Sequence, residues 1–251
     1  MTTAPDQGHA LPPDFTQRSL ELDGISKTVY VSGEGPAVVL LPEMPGISPD
    51  LIRLARWIRD AGLTVYLPSL FGVDGALPTT EAGEQVMRRA CVSAEFRVFA
   101  GGGTSPVVAW LRALARQAHE ECGGPGVGAV GLCFTGNFAL TMALEPAVIA
   151  PVVNHPSLPL DDPGGLEMSA GDAAAVRERV GRDGDVVGTP HSVTTAHLVD
   201  EEGHPTLEAR DEIIAFLTAR LHLGRPGDGS EEAPTAGPCP WPTASPVVSP
   251  R

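Results

Sequence analysis

The chain has 251 residues, 42% of them hydrophobic, which is enough for one substantial core in a single α/β-sized domain. Its formal net charge of -14, with Lys27 the single lysine among 17 basic residues, repels phosphate backbones and argues against nucleic-acid binding. No stretch reaches the roughly eighteen apolar residues of a membrane span, and Met1 to Gln17 holds no apolar run of signal-peptide length, so a cytoplasmic protein with no membrane partner is expected.

The four cysteines, Cys91, Cys122, Cys133 and Cys239, show neither metal-ligand spacing nor the density of a disulfide-stapled domain. Reduced thiols are expected, with no metal and no cofactor. From Ser19 to Leu41 the pattern reads as strands at Leu20–Leu22 and Lys27–Val31, then the buried run 37–41 after the Gly33-Glu34-Gly35-Pro36 turn. Ser48-Pro49-Asp50 supplies a cap, a proline and an acidic first turn for a helix over 49–61, stopped by Gly62, with Arg53, Arg56 and Arg59 on its solvated side. Leu63 to Leu67 follows as a strand, which completes one βαβ unit.

A looser region comes next. Ser105 to Glu121 then reads as a helix, with Trp110, Leu111, Leu114 and Ala118 at helical spacing, and leads through a glycine-rich turn into a strand at Val127 to Val130. Beyond it, Ala147 to Val153 reads as a strand, Asp172 to Val180 as a short helix, and Thr206 to Leu221 as the final helix. This alternation predicts an α/β fold, a doubly wound, mostly parallel sheet with helices on both faces. Three segments are expected: a flexible N-terminus over 1–16, the folded domain over 17–222, and a disordered tail over 223–251 carrying seven prolines.

Between the strand at Val127 and an apolar helix sits Cys133, the layout of a nucleophile elbow. A sharp turn lifts the side chain clear of the sheet, and small residues are needed where strand and helix backbones pass, hence Gly131 and Gly136. Thr135 stands where glycine is usual. The helix N-terminus is expected to lower the thiol pKa. A cysteine nucleophile also calls for a histidine between the last strand and the last helix, and His191 and His204 both fit. His155 ends the strand after the elbow, and His197 is expected on a strand face.

Gly131-Leu-Cys133-Phe-Thr135-Gly136 resembles the Gly-x-Cys-x-Gly-Gly elbow of the dienelactone hydrolase family. Leu41-Pro-Glu43-Met44-Pro-Gly46-Ile47 is similar to that family's segment after the third strand, and Leu67-Pro-Ser-Leu70-Phe71-Gly72 to the continuation of the next. The resemblance runs from about Gln17 to Leu221 and implies an α/β-hydrolase-type fold. It further implies Cys133 as nucleophile, Glu43 as the group that meets the thiol or takes its proton, and the backbone N–H groups of Met44 and Phe134 as the oxyanion hole. His191-Ser192-Val193, ahead of Phe216, is similar to the family's catalytic histidine segment, which favours His191 and leaves His204 as the alternative base.

Two departures stand out. Only the six residues Asp185 to Pro190 separate the helix around Asp172 from His191, so the sheet is expected to be shortened by one βα unit before the final strand, and no residue matches the family's acid. Asp183, Asp185 and Asp200 are substitutes by proximity only. Thr195 stands four residues after His191, where the resemblance calls for an arginine that grips a substrate carboxylate. The expected function is a thiol-dependent hydrolase of a small ester or lactone, acting through an acyl-cysteine intermediate as a monomer or small homo-oligomer. The alternative is a catalytically impaired hydrolase-fold binding protein that lacks the acid.

Overall fold

The run Ala37-Val38-Val39-Leu40 has no polar side chain, and all four residues are fully buried, so it belongs at the centre of a sheet covered on both faces. A computed structural model of the chain describes residues 11–92, 105–154, 168–183, 186–189 and 193–222. The strands are β1 (Thr16–Leu22), β2 (Ile25–Ser32), β3 (Ala37–Leu40), β4 (Thr64–Pro68), β5 (Val127–Leu132), β6 (Val148–Asn154) and β7 (Val187–Thr189). The helices are α1 (Pro49–Asp60), α2 (Thr80–Val92), α3 (Pro106–Cys122), α4 (Gly136–Met142), α5 (Ala170–Asp183) and α6 (Pro205–Leu221). The sheet runs β1-β2-β4-β3-β5-β6-β7, antiparallel from β1 to β4 and parallel from β4 through β7.

Strand pleating sorts the core. Val38 and Leu40 point to one face, where they pack with Leu51, Leu54 and Ile58 of α1 and Ile213 and Leu217 of α6. Val39 and Leu41 point to the other, against Trp110, Leu111 and Leu114 of α3 and Phe138 of α4. The backbone N–H of Leu41 donates to Val130 at 2.8 Å, so the β3–β5 ladder continues to the brink of the sheet and delivers Glu43 just past its C-terminal edge. In open α/β sheets that edge is where sites form. Ser48 caps α1, accepting from Leu51 N–H, and Pro49 starts it as expected.

β7 pairs directly with β6, Val152 opposite Val187 and Asn154 opposite Thr189, with no strand between them, in keeping with the shortened sheet. Other expectations are corrected. The segment 193–197 is turn rather than strand, and His197 is exposed. The looser region contains α2, opened by Thr79, whose hydroxyl accepts from Ala82 N–H. Gly83 and a largely exposed surface hid that helix from a search for apolar periodicity.

Of the expected flexible N-terminus over 1–16, residues 11–16 are described and are tied to the domain. Phe15 is buried, the Asp14 carbonyl accepts from Ser32 Oγ at 2.6 Å, and the Asp14 carboxylate accepts from Arg56 at 2.8 and 2.9 Å and from Arg59 at 2.7 Å. These guanidinium groups hold the Asp14 carboxyl well below the usual carboxylate range. A depressed folded-state pKa contributes stability above the unfolded carboxyl's pKa, and that contribution is lost as pH falls through the unfolded and then the folded value. Because the pair is one-third exposed, Asp14→Asn is expected to cost about 1 kcal/mol or less at pH 7. Thermal melts from pH 7 to pH 2 check this: the gap between parent and variant should narrow on acidification.

Candidate active site

Cys133 sits at φ 53°, left-handed backbone that a side chain adopts at a cost of roughly 1–2 kcal/mol. The cost is met by the way the chain turns. A Cβ on Gly131 would lie 2.3 Å from the Thr135 carbonyl oxygen and 2.7 Å from Ala139 Cβ, so only glycine lets β5 and α4 pass. Thr135, fully buried, closes the turn: its hydroxyl donates to the Leu132 carbonyl at 2.9 Å and accepts from the Leu132 N–H at 3.0 Å. The departure from glycine at this position thus has a structural use. One 3-10 turn over Cys133–Thr135 then leads into α4, and the rings of Phe134 and Phe138 meet edge to face at 5.1 Å.

The thiol is half-buried. Burial pushes its pKa up, the Phe134 N–H that donates to the sulfur pulls it down, and the negative charge of Glu43 pushes it up again. The net shift is upward, which overturns the lowered pKa expected from a helix N-terminus. A single 3-10 turn supplies one aimed N–H, and burial beside a carboxylate outweighs it. The resting Cys133 side chain is therefore a thiol.

Glu43 is 9% exposed, and one of its carboxylate oxygens accepts from the Thr195 hydroxyl at 2.5 Å. Its loop is braced from the side by the segment after β4. A Cβ on Gly72 would lie 1.8 Å from the Pro45 carbonyl oxygen, and one on Gly46 would lie 2.5 Å from that of Phe71. The two loops therefore meet backbone to backbone, and Glu43 leaves β3 on a fixed path.

Leu132, Asn154 and Thr189 form one row across the ends of β5, β6 and β7. His191 follows that row but lies outside the described residues, as do His155 and Asp185; the Asp183 side chain does too. Asp200 is exposed. His204 caps α6, its Nδ1 accepting from Thr206 N–H at 3.3 Å. The structure thus brings together Cys133, Phe134 and Glu43, and to these it adds two contacts that sequence reasoning did not foresee. These are the bond from Thr195 to Glu43 and the bond from Asn154 Nδ2, which donates to Thr194 Oγ1 at 3.1 Å. No local signal could have found the first pairing, because its members stand 152 positions apart. Among the described residues no group of three or more His, Cys, Asp or Glu could hold a metal. A depression of about 390 Å³ between Leu144, Pro146 and α5 includes none of the candidate residues.

The sequence profile of the dienelactone hydrolase family matches residues 24–170, more than half of the chain and a span that includes Glu43 and Cys133. The chain belongs to the dienelactone hydrolase family. It is by that membership a hydrolase of the carboxylic-ester class. No curated protein matches it. Among solved structures, a Klebsiella pneumoniae protein classed with the dienelactone hydrolases is similar at 14% identity and a TM-score of 0.54, over 84% of this chain and 98% of that one. A cold-adapted esterase from an Arctic intertidal metagenomic library shares 16% identity at a TM-score of 0.48, over 82% and 93%. A serine hydrolase without lid from Xanthomonas campestris shares 13% at 0.49, over 85% and 98%. Likeness at such identities speaks to the fold, and the first of the three carries it. No described helix is long and apolar enough to cross a membrane.

The elbow lends itself to a direct test. Thr135→Val keeps the shape but strips both bonds from Leu132, leaving a buried N–H and C=O short of partners at an expected cost of about 1–3 kcal/mol. Thr135→Ser should recover most of it. Urea melts of the two variants check this, and equal midpoints for Val and parent would remove the capping role.

Proposed function

We propose that the protein hydrolyses a small, uncharged ester or lactone by acyl transfer to Cys133. The observation that carries this reading is a half-buried thiol on a left-handed elbow, under the field of a buried carboxylate, Glu43. The thiol proton passes to Glu43 as sulfur attacks the ester carbonyl carbon, so a neutral resting thiol becomes nucleophilic only with substrate in place. The backbone N–H groups of Phe134 and Met44 would receive the charge that develops on the carbonyl oxygen. The carbon–oxygen bond to the leaving alkoxide then breaks, the alkoxide takes up the proton, and a thioester remains. Water, deprotonated by His191, attacks that thioester and frees the acid and the thiol. His204 is the alternative base, although its Nδ1 is occupied at the cap of α6.

The uncharged substrate follows from electrostatics. Glu43 already places one negative charge in a site largely out of water, and the position four after His191 is a threonine engaged with that charge. A carboxylate-bearing ester would approach like charge. At about 10 Å and an effective dielectric near 20 that costs about 1–2 kcal/mol, or roughly tenfold in kcat/KM.

A second reading, a hydrolase-fold binding protein without turnover, is favoured by the direct β6–β7 pairing, which leaves no strand to carry an acid ahead of His191. A panel of nitrophenyl esters and lactones separates the two. Hydrolysis abolished by Cys133→Ala and by thiol alkylation, with folding intact, supports the acyl-cysteine route; activity within twofold of parent in Cys133→Ala sinks it. Paired neutral and carboxylate-bearing esters of one acyl length should differ by about tenfold in favour of the neutral one. If no aspartate orients the imidazole, single changes of Asp183, Asp185 and Asp200 to Asn should each alter turnover less than about tenfold, with Glu43→Gln the most damaging carboxylate change.

A further inference from the structure

Burying a carboxylate is costly unless something holds it. One holder of Glu43 is a neutral hydroxyl: Thr195, fully buried, donates to the carboxylate at 2.5 Å. The hydroxyl is held in place in turn. The Thr195 carbonyl accepts from the Arg53 guanidinium at 3.2 Å and from the Leu198 N–H at 3.2 Å. Its neighbour Thr194 is held by Asn154, which lies opposite Leu132 in the sheet, one residue before the nucleophile. Arg53 belongs to α1, the helix that begins where the Glu43 loop ends. The Thr195–Glu43 bond therefore hangs from α1 and from β3 and β6, the strands on either side of the one that carries Cys133. Threonine adds its own stiffness, since branching at Cβ restricts χ1.

As a contribution to stability the pair makes little sense. Two apolar side chains of the same volume would hold α1, β3 and the 193–198 segment together without desolvating a charge. The arrangement makes sense if the carboxylate must stay in one place, beside a thiol.

We propose that Thr195 is a positioning residue that holds Glu43 in place as the proton acceptor for Cys133, a role that rests on the acyl-cysteine reading above. Without the hydroxyl, the Glu43 carboxylate loses its fixed place beside the thiol, which weakens its negative field there. Charged or titratable groups that face this carboxylate include Cys133 on the elbow and Arg53 across the Thr195 backbone.

The test needs no substrate for its first arm. The pH dependence of Cys133 alkylation by iodoacetamide is measured in parent, Thr195→Val, Thr195→Ser, Glu43→Gln and the Glu43→Gln/Thr195→Val double variant. The thiol inflection of Thr195→Val should move down by about half a pH unit, roughly threefold faster alkylation below it, in the same direction as Glu43→Gln. Thr195→Ser should stay at the parent value, and the double variant should move no further than Glu43→Gln alone. Thr195→Ala stands in if the valine variant fails to fold. In the second arm, kcat on a neutral ester should fall about tenfold in Thr195→Val and less than about twofold in Thr195→Ser. An unmoved inflection in the valine variant, equal shifts for Ser and Val, or additive shifts in the double variant each overturn the assignment. Should ester hydrolysis survive Cys133→Ala, the acyl-cysteine reading fails by itself, while the alkylation series still decides whether Thr195 governs the charge at Glu43.

Discussion

The passage of β5 under α4 leaves less room than a methyl group requires, and much of the molecule is arranged around that constraint. Gly131 yields the space, Thr135 ties the turn back onto Leu132, and the residue between them is forced into left-handed backbone. Because β5 lies between β3 and β6, the elbow inherits the rigidity of strands packed on both faces. A nucleophile on such a mount loses little orientational freedom when substrate arrives, which is how a scaffold lowers the entropic part of a barrier.

Electrostatics then set the resting state. A helix end, a buried sulfur and a nearby carboxylate pull in different directions, and here desolvation together with Glu43 prevails over the Phe134 N–H. A protonated thiol is a poor nucleophile and a poor target for stray electrophiles or oxidants. On the acyl-cysteine reading proposed above, reactivity is kept for the moment when a carbonyl group occupies the site and the proton has somewhere to go.

Much of this was legible in the sequence wherever the signal was local. The unbroken apolar run of β3, the Ser48-Pro49 start of α1 and the strand-to-helix junction at Cys133 are each written in a few consecutive residues. What stayed hidden depended on distant partners or on competing magnitudes. The arginines of α1 read as a solvated stripe, yet Arg56 and Arg59 close on Asp14 and Arg53 reaches Thr195. Thr195 looked like the absence of a cation rather than the presence of a hydroxyl donor. The direction of the thiol shift could not be read from the helix alone, because it turned on how deeply the sulfur sits and on which side chain sits beside it. α2 escaped notice because a helix with Gly83 inside and little apolar surface leaves no stripe to detect.

The direct pairing of β7 with β6 also shapes how the sheet ends. At three residues, β7 offers a newcomer strand only a few backbone partners on its outer side, too few to seed the edge-to-edge association to which open sheets are prone. At the opposite margin β1 runs seven residues, but it carries Arg18, fastened to Glu121, and Glu21 along its length, and charge on an edge strand discourages a stranger from docking. A fold that gave up one βα unit has in this way kept both of its borders closed to self-templating growth, one by brevity and the other by charge.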